Sequence, residues 1–207
     1  MAPAAALLHL QCDVAAELRP ALLRYWDEAH FAELLSLPGF LWARRGHLIA
    51  PDDASPIVTM YGLSDPAAAD QPRPSSFTLL PAELDGNVTF KRRILRRISS
   101  DSSASEPVDE AFLQLIRAAT PGGDILGVAD VASKWPGVLS VSCWETIVNA
   151  PHTDRSEVVH LRDAELIHAK LSDSAPVSEL LTRARDGLAG WDASAYRYAP
   201  SRTTSPS

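Results

Sequence analysis

Cysteine is nearly absent from this 207-residue chain: there are two, Cys12 and Cys143, which form no disulfide framework and match no metal-ligand spacing. They read as small buried strand residues in a reducing compartment. Also missing are a Gly-rich phosphate loop, a Gly-x-Ser-x-Gly elbow and a Cys-x-x-Cys pair, which argues against nucleotide and flavin cofactors and against hydrolase triads. No cofactor is therefore expected. No apolar run approaches the ~18 residues of a membrane span. The apolar start Ala4-Ala5-Ala6-Leu7-Leu8 has no basic segment ahead of it and meets Gln11 and Asp13 too soon for a secretory signal, so a soluble cytoplasmic protein with no membrane partner is expected. Positive charge is in deficit, 19 Lys and Arg against 26 Asp and Glu, and the molecule as a whole would repel nucleic acid. The local exception, Lys91-Arg92-Arg93-Ile94-Leu95-Arg96-Arg97, mixes apolar and basic residues and reads as one face of a strand or helix.

What is present is a globular composition, 46% hydrophobic and 22% charged, divided by a polar run. Ser99-Ser100-Asp101-Ser102-Ser103-Ala104-Ser105-Glu106-Pro107 cannot bury enough apolar surface to offset its ordering entropy. This places a first unit at 1–98, a linker at 99–108, a second unit at 109–200 and a disordered tail at 201–207. The units echo each other in order: Leu7-Leu8-His9-Leu10-Gln11 with Phe112-Leu113-Gln114-Leu115-Ile116, Leu37-Pro38-Gly39-Phe40-Leu41 with Trp135-Pro136-Gly137-Val138-Leu139, and Gly62-Leu63-Ser64-Asp65 with Lys170-Leu171-Ser172-Asp173. Three ordered echoes indicate an internal duplication. Each unit reads as a split β-α-β-β-α-β plan. The first has strands at 7–14, 40–49, 56–63 and 92–98, a helix at 16–37, a hairpin turn at 51–55, and a second helix broken by Pro66, Pro72, Pro74 and Pro81. The second has strands at 112–118, 138–147, 165–171 and 193–198, with helices at 124–134 and 177–188.

The segment Tyr25-Trp26-Asp27-Glu28-Ala29-His30, running on through Leu37-Pro38-Gly39-Phe40-Leu41-Trp42-Ala43-Arg44-Arg45, sets acids and a histidine on a helix that stops at Pro-Gly before an arginine-bearing strand. In this it resembles the EthD-like branch of the dimeric α/β-barrel (ferredoxin-like) superfamily. The resemblance implies an α+β fold in which two ferredoxin-like βαββαβ repeats face each other and form an intramolecular dimeric α/β-barrel, a pseudo-dimer that leaves a homodimer of pseudo-dimers open. It places its histidine at His30. Ala29 stands where relatives are expected to carry an acid, so no carboxylate role carries over to that position.

Strand alternation nominates the residues that enter the barrel. With Leu8, Leu10, Cys12 and Val14 turned to the helices, His9, Gln11 and Asp13 face inward. Phe112, Gln114 and Ile116 share that aspect, as do Phe40, Trp42 and Arg44, and Val138, Ser140, Ser142 and Trp144. Leu41, Ala43, Leu139 and Val141 form the helix-facing row. The third strands, with Met60 and Tyr61 and with His168 and Ala169, are left unphased. His9, in a mostly apolar cavity, is an acid/base candidate or a hydrogen-bonded barrel filler. His30 shares a helix face with Trp26 and Asp27, so Asp27 can set its tautomer, or else it bonds a neighbouring strand or loop. Arg44 can hold a carboxylate, phenolate or enolate bidentately, or pair with Asp13 or Glu28; Arg45, on the other face, is expected to pair with an acid. The catalytic candidates are thus His9, His30 and Arg44, with Gln11, Asp13, Trp26, Phe40, Trp42, Tyr61, Gln114, Trp144 and His168 lining the substrate site. His152, Asp154, His160 and Asp163 match no ligand set and read as a solvated loop, so no metal is expected.

The function expected is a cofactor-independent lyase, cyclase, isomerase or decarboxylase acting on an aromatic or polyketide-like small-molecule substrate, with histidine as acid/base and arginine as charge partner. That expectation leans on the resemblance, since related barrels include such enzymes and cofactor-free monooxygenases. The alternative is a non-catalytic ligand-binding or stress-response barrel. An accessory interaction module would need an exposed apolar strip.

Overall fold

The computed structural model describes residues 4–51, 56–100, 111–118, 123–147, 158–160, 164–199 and 202–203. The turn at 52–55, most of the linker, and His152, Asp154 and Asp163 lie outside them.

β1 (Ala6–Val14) leads through a 3₁₀ turn (Ala16–Leu18) to α1 (Arg19–Tyr25), which begins with Pro20 in its first turn, where a missing N–H costs nothing. The expected single helix changes pitch here. Trp26–His30 is a π-helical turn, closed by the Phe31 N–H donating to the Trp26 carbonyl, before α2 (Phe31–Leu35) restores the α form. Next come β2 (Phe40–Ala50), β3 (Ile57–Leu63) and β4 (Val88–Ser100). The proline-rich stretch between β3 and β4 starts with a short 3₁₀ turn (Pro66–Asp70) and continues as an irregular strap. The second half supplies β5 (Ala111–Ala118), α3 (Ile125–Ser133), β6 (Val138–Thr146), β7 (Val158–His160), β8 (Ala164–Leu171), α4 (Val177–Gly187), β9 (Asp192–Tyr198) and β10 (Arg202–Thr203).

Eight strands close in the order β4-β1-β3-β2-β9-β5-β8-β6 and back to β4, with every neighbouring pair antiparallel. The expected α+β barrel is present within one chain: each half contributes four strands, and the half-sheets share edges at β2–β9 and β4–β6, which leaves no open edge in the closed ring. The within-half strand order, fourth-first-third-second, is the same in both halves. β7 adds in parallel to β4. Within the last segment, Arg202 and Thr203 pair with Ala43 and Trp42 of β2. No helix among the described residues is long and apolar enough to cross a membrane.

The echoed Pro-Gly segments occupy matching places. Gly39 (φ 87°) and Gly137 (φ 80°) each turn a helix end into a strand in the left-handed conformation that favours glycine. Their carbonyls accept from the Ser64 and Ser172 N–H groups at 2.9 and 2.8 Å.

Packing falls into three clusters: one under α1–α2 and the strap, one under α3–α4, and one inside the barrel. As the alternation of β1 implies, Leu8, Cys12 and Val14 face the helices. Alternation fails at two bulges. A register shift between Phe40 and Trp42 turns Phe40 to the helix side with Ala43 and Tyr61, and sets Leu41 against the barrel cluster. The shift between Val138 and Ser140 sends Val138 to the helix side and leaves Leu139 exposed rather than covered. The third strand resolves with Met60 inside the barrel and Tyr61 outside it.

Two strand glycines make room for aromatic rings in the barrel. A Cβ on Gly62 would lie 2.2 Å from the Trp42 indole, and one on Gly46 would lie 2.9 Å from the Phe112 ring. Overpacking of this kind costs about 1–3 kcal/mol, so Gly62→Ala is expected to lower the urea midpoint by that equivalent and Gly46→Ala by less. An unchanged midpoint in Gly62→Ala would show that Trp42 is not held where it is described.

Candidate active site

The expected site residues separate into two places on opposite faces of the β1–β3–β2 wall. Inside the barrel, His9 Nε2 lies 2.8 Å from Gln114 Oε1, and His168 Nε2 lies 3.4 Å from the same oxygen. Because that oxygen can only accept, each Nε2 carries the hydrogen. Burial pushes the His9 pKa well below its ordinary value, and the charge of Arg93 and the neighbouring His168 add to the effect; desolvation lowers His168 to about 3. Both imidazoles are therefore neutral near pH 7. Arg44, 2% exposed, stacks over Trp42 and Tyr198, its guanidinium carbon 5.3 and 5.8 Å from the ring centroids. Gln11 accepts from Arg93 at 2.7 Å, and Trp144 donates from its indole N–H to Ser142 Oγ at 3.1 Å. Asp13 pairs with Lys91 at 2.8 Å. With Leu7, Met60, Phe112, Leu166, Tyr196 and Tyr198 filling the same space, these side chains form a packed polar-aromatic plug.

The helix side holds a cavity of about 580 Å³, the size of a small-molecule site. Its floor is strand surface, Leu8 and Leu10 of β1, Phe40 of β2, Tyr61 of β3, and Phe90 and Arg92 of β4. Its wall is Tyr25, Trp26, His30, Glu33, Leu34 and Leu37, and its roof is the strap from Ala68 to Leu80. Residues five apart lie well off one face of an α-helix with its about 3.6 residues per turn. The π turn winds more slowly and stacks Tyr25 on His30, with ring centroids 5.1 Å apart and the phenol oxygen 3.2 Å from Nδ1. Asp27 is engaged by both arms of Arg45 at 2.8 and 3.2 Å, the acid pairing expected of Arg45. The Tyr61 ring stands edge-on to His30 at 6.3 Å, and its fully buried hydroxyl has no hydrogen-bond partner among the described residues. Burial raises the Tyr61 pKa well above its ordinary value against the opposing charge of Arg73. An unmatched buried hydroxyl costs free energy unless something polar meets it; here it borders the cavity. Arg92, 8% exposed, is lowered by burial to about 10 and stays charged at neutral pH.

The strap is pinned at its two ends. Arg92 Nη2 donates to the Ala69 carbonyl at 3.3 Å and Gln71 Nε2 to the Pro38 carbonyl at 2.9 Å. Farther along, Glu33 Oε1 accepts from both the N–H and the hydroxyl of Thr78, at 2.8 and 2.7 Å, and the Tyr25 hydroxyl lies 3.3 Å from the Thr78 carbonyl.

Of the expected set, His30, Trp26, Phe40 and Tyr61 border the cavity, whereas His9, Arg44, Gln11, Trp42, Gln114, Trp144 and His168 lie inside the barrel, and Asp13 is in its ion pair. Tyr25, Arg92 and the strap were not singled out from sequence. Arg92 sits in the basic run read as a structural face, and in β4 its neighbours Lys91 and Arg93 turn to Asp13 and Gln11.

Helices packed outside a closed eight-stranded barrel of two four-stranded halves define the ferredoxin-like dimeric α/β-barrel class, completed here within one chain. No family model matches the sequence, and no curated protein does. Among solved structures, the chain is similar to an anthrone oxidase-like protein (TM-score 0.63, 12% identity, covering 97% of this chain and 93% of the other). It is similar also to a protein assigned as a monooxygenase from Lactobacillus acidophilus NCFM (0.55, 15%, 96% and 95%) and to one assigned as a chlorite dismutase (0.54, 13%, 96% and 96%). At these identities the likeness is one of fold.

Proposed function

We propose that the chain is a cofactor-independent enzyme that takes an aromatic or polyketide-like metabolite into the helix-side cavity and moves a proton with His30. The observation that carries this is the cavity itself, which brings one imidazole, one buried hydroxyl without a partner among the described residues and one buried guanidinium to a floor and wall that are largely apolar and aromatic. Arg92 takes the part expected of Arg44: a permanent charge offsetting the negative charge that develops on a phenolate or enolate oxygen, with Tyr61 donating to the same oxygen. Removal of a proton α to a carbonyl opens both isomerisation and aldol-type cyclisation; in decarboxylation the enolate forms by loss of carbon dioxide and His30 would return the proton. The names of the anthrone oxidase-like and monooxygenase-assigned neighbours are the reason to follow dioxygen consumption alongside product. We place the chain with the EthD-like barrels of secondary metabolism on the segment from Tyr25 to Arg45, and infer a duplicated ancestor from the matching Pro-Gly turns and strand orders.

The test is incubation with anthrone and with open-chain aromatic polyketides, following product by mass spectrometry and dioxygen by electrode. Turnover that falls roughly tenfold in Arg92→Lys, where the charge stays but the planar fork is lost, is the expected result. Ligand bound tightly and released unchanged overturns the enzyme reading in favour of a binding barrel.

A further inference from the structure

The Tyr25 phenol has one proton, and His30 Nδ1 at 3.2 Å and the Thr78 carbonyl at 3.3 Å are acceptors within its reach. We propose that Tyr25 is a positioning residue whose proton couples the seating of the strap at Thr78 to the choice of which His30 nitrogen carries hydrogen. The inference rests on the reading of His30 as the acid/base group.

With the strap seated, the Tyr25 hydroxyl donates to the Thr78 carbonyl. The phenol oxygen is then left to accept, and it accepts from His30 only if Nδ1 bears the hydrogen. A neutral ring protonated at Nδ1 has its basic lone pair on Nε2, on the far side of the ring from Tyr25. With the strap lifted, the Thr78 carbonyl is gone, the phenol donates to Nδ1, and the ring hydrogen moves to Nε2, which can no longer take a proton. Closure over a substrate therefore arms His30 as a base, and opening disarms it, so that no base stands ready in a cavity open to water.

The latch is in place. Glu33, three residues after His30 on the same helical segment, binds Thr78 through both its N–H and its hydroxyl, so the carbonyl that takes the Tyr25 proton belongs to the residue the carboxylate holds. Pro72 and Pro74 stiffen the strap between this latch and the one at Gln71. The π turn is what sets the phenol between helix and strap. The titratable and charged groups facing His30 are Tyr25 and Glu33 from its own segment, Tyr61 from β3, Arg92 from β4, and Asp70 and Arg73 from the strap, with the Asp27–Arg45 pair beside them.

The test uses the full chain labelled with ¹⁵N-histidine, at about pH 8, where an ordinary imidazole is neutral. Nitrogen chemical shifts report the tautomer without any substrate, and the His30 signals are assigned by their loss in His30→Gln. The wild type is expected to hold hydrogen on Nδ1. Glu33→Ala, which releases Thr78 but leaves Tyr25 and His30 untouched, is expected to move the tautomer ratio about fivefold or more toward Nε2–H, the effect of one hydrogen bond. Thr78→Val, a milder change on the strap, shifts it the same way by less. In Tyr25→Phe the ratio no longer responds to adding Glu33→Ala. A wild type already protonated at Nε2, or a ratio unmoved by both Glu33→Ala and Thr78→Val, overturns the coupling. A tautomer switch in a protein that turns over none of the candidate aromatics would instead sustain the coupling and defeat the functional reading.

Discussion

His30→Ala is expected to lower turnover of an accepted aromatic substrate by about 10²–10⁴-fold, the usual contribution of a positioned acid/base group, while the fold and ligand affinity stay close to wild type. The expectation follows from location. His30 is 6% exposed at the wall of the cavity, stacked on Tyr25 and edge-on to Tyr61, and it is the one imidazole among the residues bordering that space. His9→Gln and Arg44→Lys, changes inside the barrel, are expected to alter turnover far less. The comparison is made on kcat with purified variants whose near-ultraviolet spectra match wild type. If His9→Gln abolished turnover and His30→Ala did not, the chemistry would belong to the barrel interior.

The largest effect on stability is expected from acid. His9 is fully buried, and its folded-state pKa lies well below its ordinary value; that of His168 is about 3. The unfolded chain therefore binds more protons than the folded one once the pH drops below the ordinary histidine range of about 6.5, and stability declines as pH falls from there toward the folded pKa values. The unfolded pKa of about 6.5 limits this to at most about 2 kcal/mol per histidine at pH 5, with the fully buried His9 contributing more than the partly exposed His168. His9→Gln keeps a donor for Gln114 but has nothing to titrate. Urea unfolding at about pH 7 and about pH 5 should show the variant losing less stability than wild type between the two, by at most about 2 kcal/mol. Equal losses would mean that the barrel histidine is already protonated or hydrated.

Much of the barrel was legible because its evidence is periodic. The β1 pattern Leu8, Cys12, Val14 against His9, Gln11, Asp13 has one sensible orientation, and the matching Leu37-Pro38-Gly39 and Trp135-Pro136-Gly137 segments mark the same helix-to-strand turn in both halves. The site was harder, for physical reasons. A bulge adds a residue without leaving a signature in the alternation, so Phe40 read as inward when the shift before Trp42 turns it to the helices. Tyr25 and His30 meet only because the helix relaxes to a π turn, which no three- or four-residue spacing reveals. In β3, every residue of which is buried, alternation could not assign Tyr61 a side. The prolines that forbid a second helix before β4 were read as an absence, yet they build the strap that roofs the cavity.

The central claim is that ligand occupies the helix-side cavity and not the barrel. The most direct measurement is an experimental structure of the protein with a bound aromatic ligand. The account predicts the ring system lying against Trp26 and Phe90, with one oxygen within hydrogen-bonding reach of the Tyr61 hydroxyl and Arg92. A ligand found instead between His9 and Arg44, displacing Trp42 or Phe112, would contradict it.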